Sequence, residues 1–299
     1  MTYAIETRNL VWAYQKQVVL NGIDLQIPEG AIYGYLGRNG AGKTSTIKLL
    51  TGLLRDKCDS VYFKGKEFSA NREGILKNVG ALIGDPAFYN MTAMENMQVL
   101  DCIYHCGKRR IMEMLELTGL AQEKDKKVQK FSTGMKQRLS IAMALFHNPE
   151  IIILDEPMNG LDPEGIYEIR ELLLKMKEAG KTIFFSSHIL DEMEKICTHV
   201  GILEKGKLIY QGTLTALLKD VPKQVSVLCE SPEKACSLFI DKKYEAFVEQ
   251  PDKLIVKLNQ TQSFADFIRL LATTDTAIYT IESNTSSLEN IYLNLTSKL

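Results

Sequence analysis

The sequence predicts an α/β fold with a helical insertion, followed by a small α+β domain. Three observations carry that prediction. Gly37-Arg38-Asn39-Gly40-Ala41-Gly42-Lys43-Thr44 fits the pattern G-x-x-x-x-G-K-[ST] and lies between an apolar run and a helical pattern. Ile151-Ile152-Ile153-Leu154 is a continuous apolar run, which suits a strand buried on both faces of a parallel sheet. Beyond about Lys219 the pattern changes to short strands and helices in the order β-α-β-β-α-β, the ferredoxin-like split unit. The expected domains are therefore 1–219, with the helical insertion at about 86–147, and 220–299.

Taken in order, residues 4–10 and 18–27 read as strands, the second alternating through Val18, Leu20, Ile23, Leu25 and Ile27. Pro28-Glu29-Gly30 is a turn into a buried strand at 31–36. The glycine loop follows, then a helix at 44–50 closed by Thr51-Gly52. Residues 61–63 and 79–83 read as short strands. Helical patterns at 94–104, 110–117 and 135–146 make up the insertion, and the charge run at 123–130 reads as a solvated connector. After the strand at 151–154 comes a helix over 164–179, with Ile166, Ile169, Leu172, Leu173 and Met176 on one face and Gly180 as its stop. A buried strand at 182–186, an amphipathic segment at 189–197 and a hairpin around Gly206 close the first domain. The second has strands at 224–229, 246–249, 253–258 and 277–281, helices at 232–240 and 264–271, and a last helix at 288–295.

Composition narrows the class. Of 299 residues 45% are hydrophobic and 24% charged, the balance of a globular protein. Lysine and arginine total 36 against 37 aspartate and glutamate, which gives no support for a nucleic-acid partner. No apolar run has the roughly 18 residues of a membrane span, and the first ten residues lack a signal core. The expectation is a cytosolic chain, or one held at a membrane only through a partner. Six cysteines without framework spacing are expected to be reduced. Cys102-Ile103-Tyr104-His105-Cys106 reads as amphipathic helix, since no second ligand pair stands near it.

The chemistry gathers at strand ends. Glycines let successive N–H groups turn toward one anion, and the following helix adds the positive end of its dipole. Lys43 is placed to reach the β- and γ-phosphates of a nucleotide, and the Thr44 hydroxyl to bind Mg²⁺. Asp155 and Glu156 end a buried strand, where carboxylates face the ligand crevice: Asp155 suits Mg²⁺, and Glu156 suits polarising water for attack on a γ-phosphate. Two adjacent carboxylates there need a cation or hydrogen bonds to compensate them. His188 ends another buried strand at the same edge, in reach of the γ-phosphate and that water. Ser132-Thr133-Gly134-Met135 opens a helix with a capping hydroxyl and free N–H groups.

Together these motifs resemble, over residues 2 to about 219, the nucleotide-binding subunit of ABC transporters. The resemblance implies a P-loop NTPase core of the ABC type that binds and hydrolyses ATP with Mg²⁺. It implies that Tyr14 stacks on adenine, that 37–44 is the Walker A loop with Ser45 beside it, and that 151–156 is Walker B with Glu156 as the catalytic glutamate. Gly160-Leu161-Asp162 resembles the D-loop and His188 the switch histidine. Phe131 to Met135 stands where the family usually has LSGGQ. Two such subunits close head to tail, so Ser132 and Gly134 are implied to serve the nucleotide held by a second copy or a homologous subunit. Two departures stand out: Thr133 and Met135 replace a glycine and a glutamine, and the usual Q-loop glutamine falls on Gly84, with Asp85 placed to substitute in part. Residues 82–89 and 287–296 resemble the bacitracin-resistance and lantibiotic-immunity type of exporter ATPase. That layer implies a separate permease, a place on the cytoplasmic face of the membrane, and export of an antimicrobial peptide or other amphiphile. A non-transport ATPase of the same family and a nucleotide-binding regulatory module are the alternative readings.

Overall fold

The structure, a computed structural model, describes residues 2–55, 58–84, 88–219, 223–259, 262–284 and 287–297. The chain divides into two units, Met1–Leu214 and Thr215–Leu299, each with its own apolar core.

The first unit opens with β1 (Tyr3–Thr7), β2 (Leu10–Tyr14), β3 (Gln17–Ile23) and β4 (Gln26–Pro28). The two strands expected over 4–10 and 18–27 are thus four. Asn9, at φ 49°, turns the chain after β1. The Thr7 hydroxyl donates to the Ile23 carbonyl at 2.6 Å and accepts from the Leu25 N–H at 2.8 Å, so the ladder is interrupted at Asp24. β5 (Ile32–Leu36), buried at every residue, runs into the glycine loop and α1 (Lys43–Leu50). Then come β6 (Val61–Phe63), β7 (Lys66–Glu67), α2 (Phe68–Leu76) and β8 (Val79–Leu82). Sequence reading missed α2, which buries only Phe68 and Ile75 and is kinked at Asn71.

The insertion holds α3 (Ala93–Tyr104), α4 (Gly107–Leu117) and α5 (Thr133–Leu145). A reciprocal cap fixes the start of α3: Thr92 Oγ1 accepts from the Glu95 N–H at 3.2 Å, and Glu95 Oε2 accepts from the Thr92 N–H at 2.7 Å. The charge run is more than a connector, since it forms a short 3₁₀ turn at Val128–Lys130 that buries Val128. The core resumes with β9 (Ile151–Leu154), α6 (Pro163–Glu178), β10 (Thr182–Ser187), α7 (Leu190–Ile196), β11 (His199–Glu204) and β12 (Lys207–Thr213), and α8 (Leu214–Lys219) begins at the boundary and belongs mostly to the second unit.

One six-stranded sheet organises this unit, in the order β12-β11-β5-β10-β9-β8. All neighbours are parallel except the edge pair β11 and β12. A core of Tyr33, Tyr35, Ile153, Phe184 and Ile47 fills one face, against α1 and the antiparallel sheet β4-β1-β6-β7. α6 and α7 lie against β10 and β5. Burial on both faces is why these strands read as apolar runs. Register places Ser187 opposite Leu36 and Leu154 opposite Phe185. The carboxyl ends of β5, β10 and β9 therefore lie side by side, where ligand crevices form in such sheets.

The second unit comprises β13 (Lys223–Cys229), α9 (Pro232–Asp241), β14 (Glu245–Gln250), β15 (Lys253–Leu258), α10 (Phe264–Leu271), β16 (Ile278–Asn284) and α11 (Leu288–Thr296). Its antiparallel sheet has the order β14-β15-β13-β16, the ferredoxin-like arrangement. Val225, Val227, Leu254, Val256, Phe239 and Phe267 fill its core.

Candidate active site

The loop between β5 and α1 carries its shape in its backbone. Gly42 has φ 114° and caps α1, and a Cβ there would come within 2.6 Å of Leu20 Cδ2. Both features disfavour any larger residue. Arg38, Asn39 and Gly40 stand exposed at the crest, while Gly37, Ala41 and Gly42 are buried. Lys43 is also buried, at 6% exposure, and its Nζ donates to the Gly37 carbonyl at 2.6 Å. Its ammonium therefore lies back along the loop instead of pointing into solvent. Thr44 is exposed and Ser45 half-buried at the first turn of α1, where N–H groups and the helix dipole favour an anion.

Two strands away, β9 delivers Asp155 and Glu156. Asp155 is 7% exposed, and its Oδ1 accepts from Ser186 Oγ at 2.7 Å. The same Ser186 hydroxyl accepts from the Glu156 N–H at 2.9 Å. One serine on β10 thus fixes both carboxylate residues, and sequence reading missed it. Its signal was its place two residues before His188, on the strand next to β9. Glu156 sits at φ 49°, a left-handed conformation uncommon for a non-glycine residue. That turn aims its side chain back across the sheet edge. Oε1 lies 3.2 Å from Lys43 Nζ, and Oε2 lies 2.8 Å from His188 Nδ1. An ionised carboxylate only accepts, so the proton of that contact belongs to Nδ1. Lys43, Glu156 and His188 come together from three separate elements. The compensation that two adjacent carboxylates require is thus visible: Ser186 for Asp155, and Lys43 with His188 for Glu156.

Other expected residues are placed apart from this cluster. Ser132 caps α5, accepting from the Met135 N–H at 3.2 Å, with Gly134 in the first turn. Asp162 caps α6, accepting from the Gly165 N–H at 2.9 Å. Tyr14 ends β2 with 64% exposure, its ring 6.2 Å from that of Trp12. No contact of Ser132, Asp162 or Tyr14 with the Lys43 cluster is seen among the described residues. Asp85 lies outside the described residues. Gly84 has φ +67°, and among the described residues nothing lies within 4 Å of where a Cβ would stand. Gly84→Ala should therefore lower stability by about 1 kcal/mol through backbone strain alone, without a clash. Chemical denaturation measures this, and an unchanged or raised midpoint at constant slope would contradict it.

Residues 20–159 match the family described as ABC transporter. BcrA of Bacillus licheniformis, a bacitracin transport ATP-binding protein, is 44% identical over 241 residues, covering 80% of this chain and 79% of that one. SrtF of Streptococcus pyogenes, a lantibiotic transport ATP-binding protein, is 40% identical over 69% of this chain and 90% of its own. YcbN of Bacillus subtilis, an uncharacterised ABC transporter ATP-binding protein, is 35% identical over 99% of this chain and 97% of its own. Among solved structures, an ATP-binding subunit of an ABC transporter superposes with a TM-score of 0.66 at 28% identity, covering 73% of this chain and 92% of that one. CbiO1 of Clostridium perfringens, part of the transporter complex CbiONQ, superposes at 0.64 with 29% identity, covering 71% and 89%.

Proposed function

The chain belongs to the ABC transporter family as an ATP-binding subunit that hydrolyses ATP to power transport, and on that premise we propose how its residues do so and what it moves. The observation that carries the residue assignment is the meeting of Lys43, Glu156 and His188 at the carboxyl edge of the sheet. Backbone N–H groups of 38–44 receive the phosphates, and Lys43, already over the loop, neutralises the β- and γ-oxygens. Glu156 orients a water in line with the γ-phosphorus and draws on its proton. His188 holds Glu156 in place through Nδ1, which leaves Nε2 free to face the γ-phosphate. Phosphoryl transfer asks mainly for such positioning and charge stabilisation.

The residues also fit Mg²⁺. Asp155 is a buried carboxylate whose Oδ1 is oriented by Ser186, and Thr44 presents a hydroxyl at the start of α1. An oxygen set of one carboxylate and one hydroxyl, completed by phosphates and water, is what this ion takes. Bound there, Mg²⁺ would neutralise charge on the β- and γ-phosphates.

Ser132, Gly134 and Asp162 serve a second copy. Ser132 and Gly134 lie at the N-terminus of α5, where the N–H groups that the Ser132 cap leaves can meet an anion held by another chain, and Asp162 caps α6. Tyr14, exposed at the end of β2, stacks on adenine. Among the described residues no helix is long and apolar enough to cross a membrane. By analogy with the transport ATP-binding proteins it resembles, the membrane path belongs to a permease partner. The cargo is a peptide antibiotic or similar amphiphile, by analogy with the names of BcrA and SrtF. The test is purification from membranes, then reconstitution with the permease that accompanies it. ATP hydrolysis should rise several-fold in those vesicles and rise again with a bacitracin-like or lantibiotic-like peptide. Hydrolysis indifferent to every membrane partner would contradict the transport assignment.

A further inference from the structure

Three helices start at the three loops that this reading assigns to hydrolysis. α5 starts at Ser132, α6 at Asp162, and α7 just after His188. Two ion pairs tie them together, and neither touches the nucleotide site. Arg138 of α5 places Nε 3.2 Å from Glu168 Oε2 of α6, an ion pair without hydrogen-bond alignment. Its NH1 also donates to the Thr118 carbonyl, at the end of α4, at 3.1 Å. Further along the same helix Arg170 NH1 donates to Glu192 Oε2, in the first turn of α7, at 2.7 Å. Arg138, Arg170 and Glu192 are mostly withdrawn from solvent, at 17%, 20% and 12% side-chain exposure. Screening by salt is therefore weaker at Arg170–Glu192 than at an exposed pair, whereas Glu168 keeps 37% side-chain exposure. Burial opposes ionisation of Glu192, but hydrogen bonds from Lys195 and Arg170 outweigh it and hold the carboxyl below its ordinary range.

We propose that Arg138–Glu168 and Arg170–Glu192 form a relay through α6 that couples the position of Ser132 to that of His188. This rests on the reading that Ser132 serves the partner's ATP while His188 serves the chain's own. In a closed pair, each copy would then sense one ATP at the start of α5 and answer at the other through α7. The first pair has room to change partner. A cleft of about 370 Å³ beside it is lined by Glu116 and Glu171 as well as by Arg138 and Glu168. Sliding of α5 on α6 can exchange one carboxylate for another instead of leaving a charge unpaired. A discrete exchange of that kind is what lets small helix shifts become a switch. These four are positioning residues, and they act through Ser132 and His188.

The test uses the full chain, with hydrolysis followed against ATP concentration. Wild type should be cooperative, with a Hill coefficient approaching about 2 for two sites. Glu168→Gln and Glu192→Gln keep side-chain shape and each remove one ion pair of the relay, Glu192→Gln also losing the ion pair to Lys195. Each should lower turnover about tenfold and move the Hill coefficient toward 1, with the Kd for ATP of the unpaired chain unchanged. Their combination should lose little more than either alone, because either break interrupts the relay. A merely structural role predicts losses that add and that track a fall in Tm. Additive losses, or single variants with native cooperativity, overturn the relay and leave the composite site standing. A wild type that never pairs with ATP overturns both.

Discussion

Glu156→Gln should lower ATP turnover by roughly 10²-fold or more while ATP binding survives. The substitution keeps the side chain's shape, and its amide oxygen can still accept from His188 Nδ1, now 2.8 Å from Glu156 Oε2. The backbone anchor is untouched, because the Glu156 N–H bonds to Ser186 Oγ. What disappears is the negative charge proposed to polarise water, together with the ion pair to Lys43. Lys43 keeps the Gly37 carbonyl and, once ATP binds, the phosphates. A single-turnover assay with labelled ATP separates the two quantities. Near-native turnover would remove Glu156 from the mechanism.

Lys43→Ala is expected to act on binding. Hydrogen bonds to charged groups contribute about 1.5–3 kcal/mol each, so ATP affinity should fall about tenfold to a hundredfold or more. A second cost falls on the free protein. Lys43 is 6% exposed, and its removal leaves a cavity under the loop and takes one of two partners from Glu156. Calorimetric titration with ATP, paired with thermal unfolding, reads both effects. Native affinity in a folded Lys43→Ala would contradict the phosphate contact. The two variants therefore differ in kind, since one loses turnover with Kd kept and the other loses Kd.

The loop and the carboxylates were legible because their requirements are local. A glycine at Gly42 answers a backbone demand, and Asp155-Glu156 stands at the end of an apolar run whose burial is plain from Ile151 to Leu154. His188 was legible by the same logic of strand ends. Ser186 was not, since a hydroxyl that bonds both Asp155 and Glu156 depends on β9 and β10 being neighbours, which is a fact of sheet order. The short α2 escaped because its apolar spacing is sparse and Asn71 leaves helical geometry. The break at Asp24 escaped because Thr7, far away in sequence, supplies its hydrogen bonds. The β-α-β-β-α-β order was readable from the succession of short strand and helical runs, since the second unit packs around its own core. Nothing in the sequence singles out Arg138 and Glu168, and only packing shows them paired.

Hydrolysis by a site completed from a second copy is the central claim, and the solution mass of Glu156→Gln tests it most directly. That variant is expected to bind ATP without discharging it, so a closed pair should accumulate. Light scattering should give the mass of one chain without nucleotide and of two chains with saturating Mg·ATP, returning to one when ATP is exchanged for ADP. A mass that stays at one chain at every ATP concentration, or a pair indifferent to nucleotide, would contradict it.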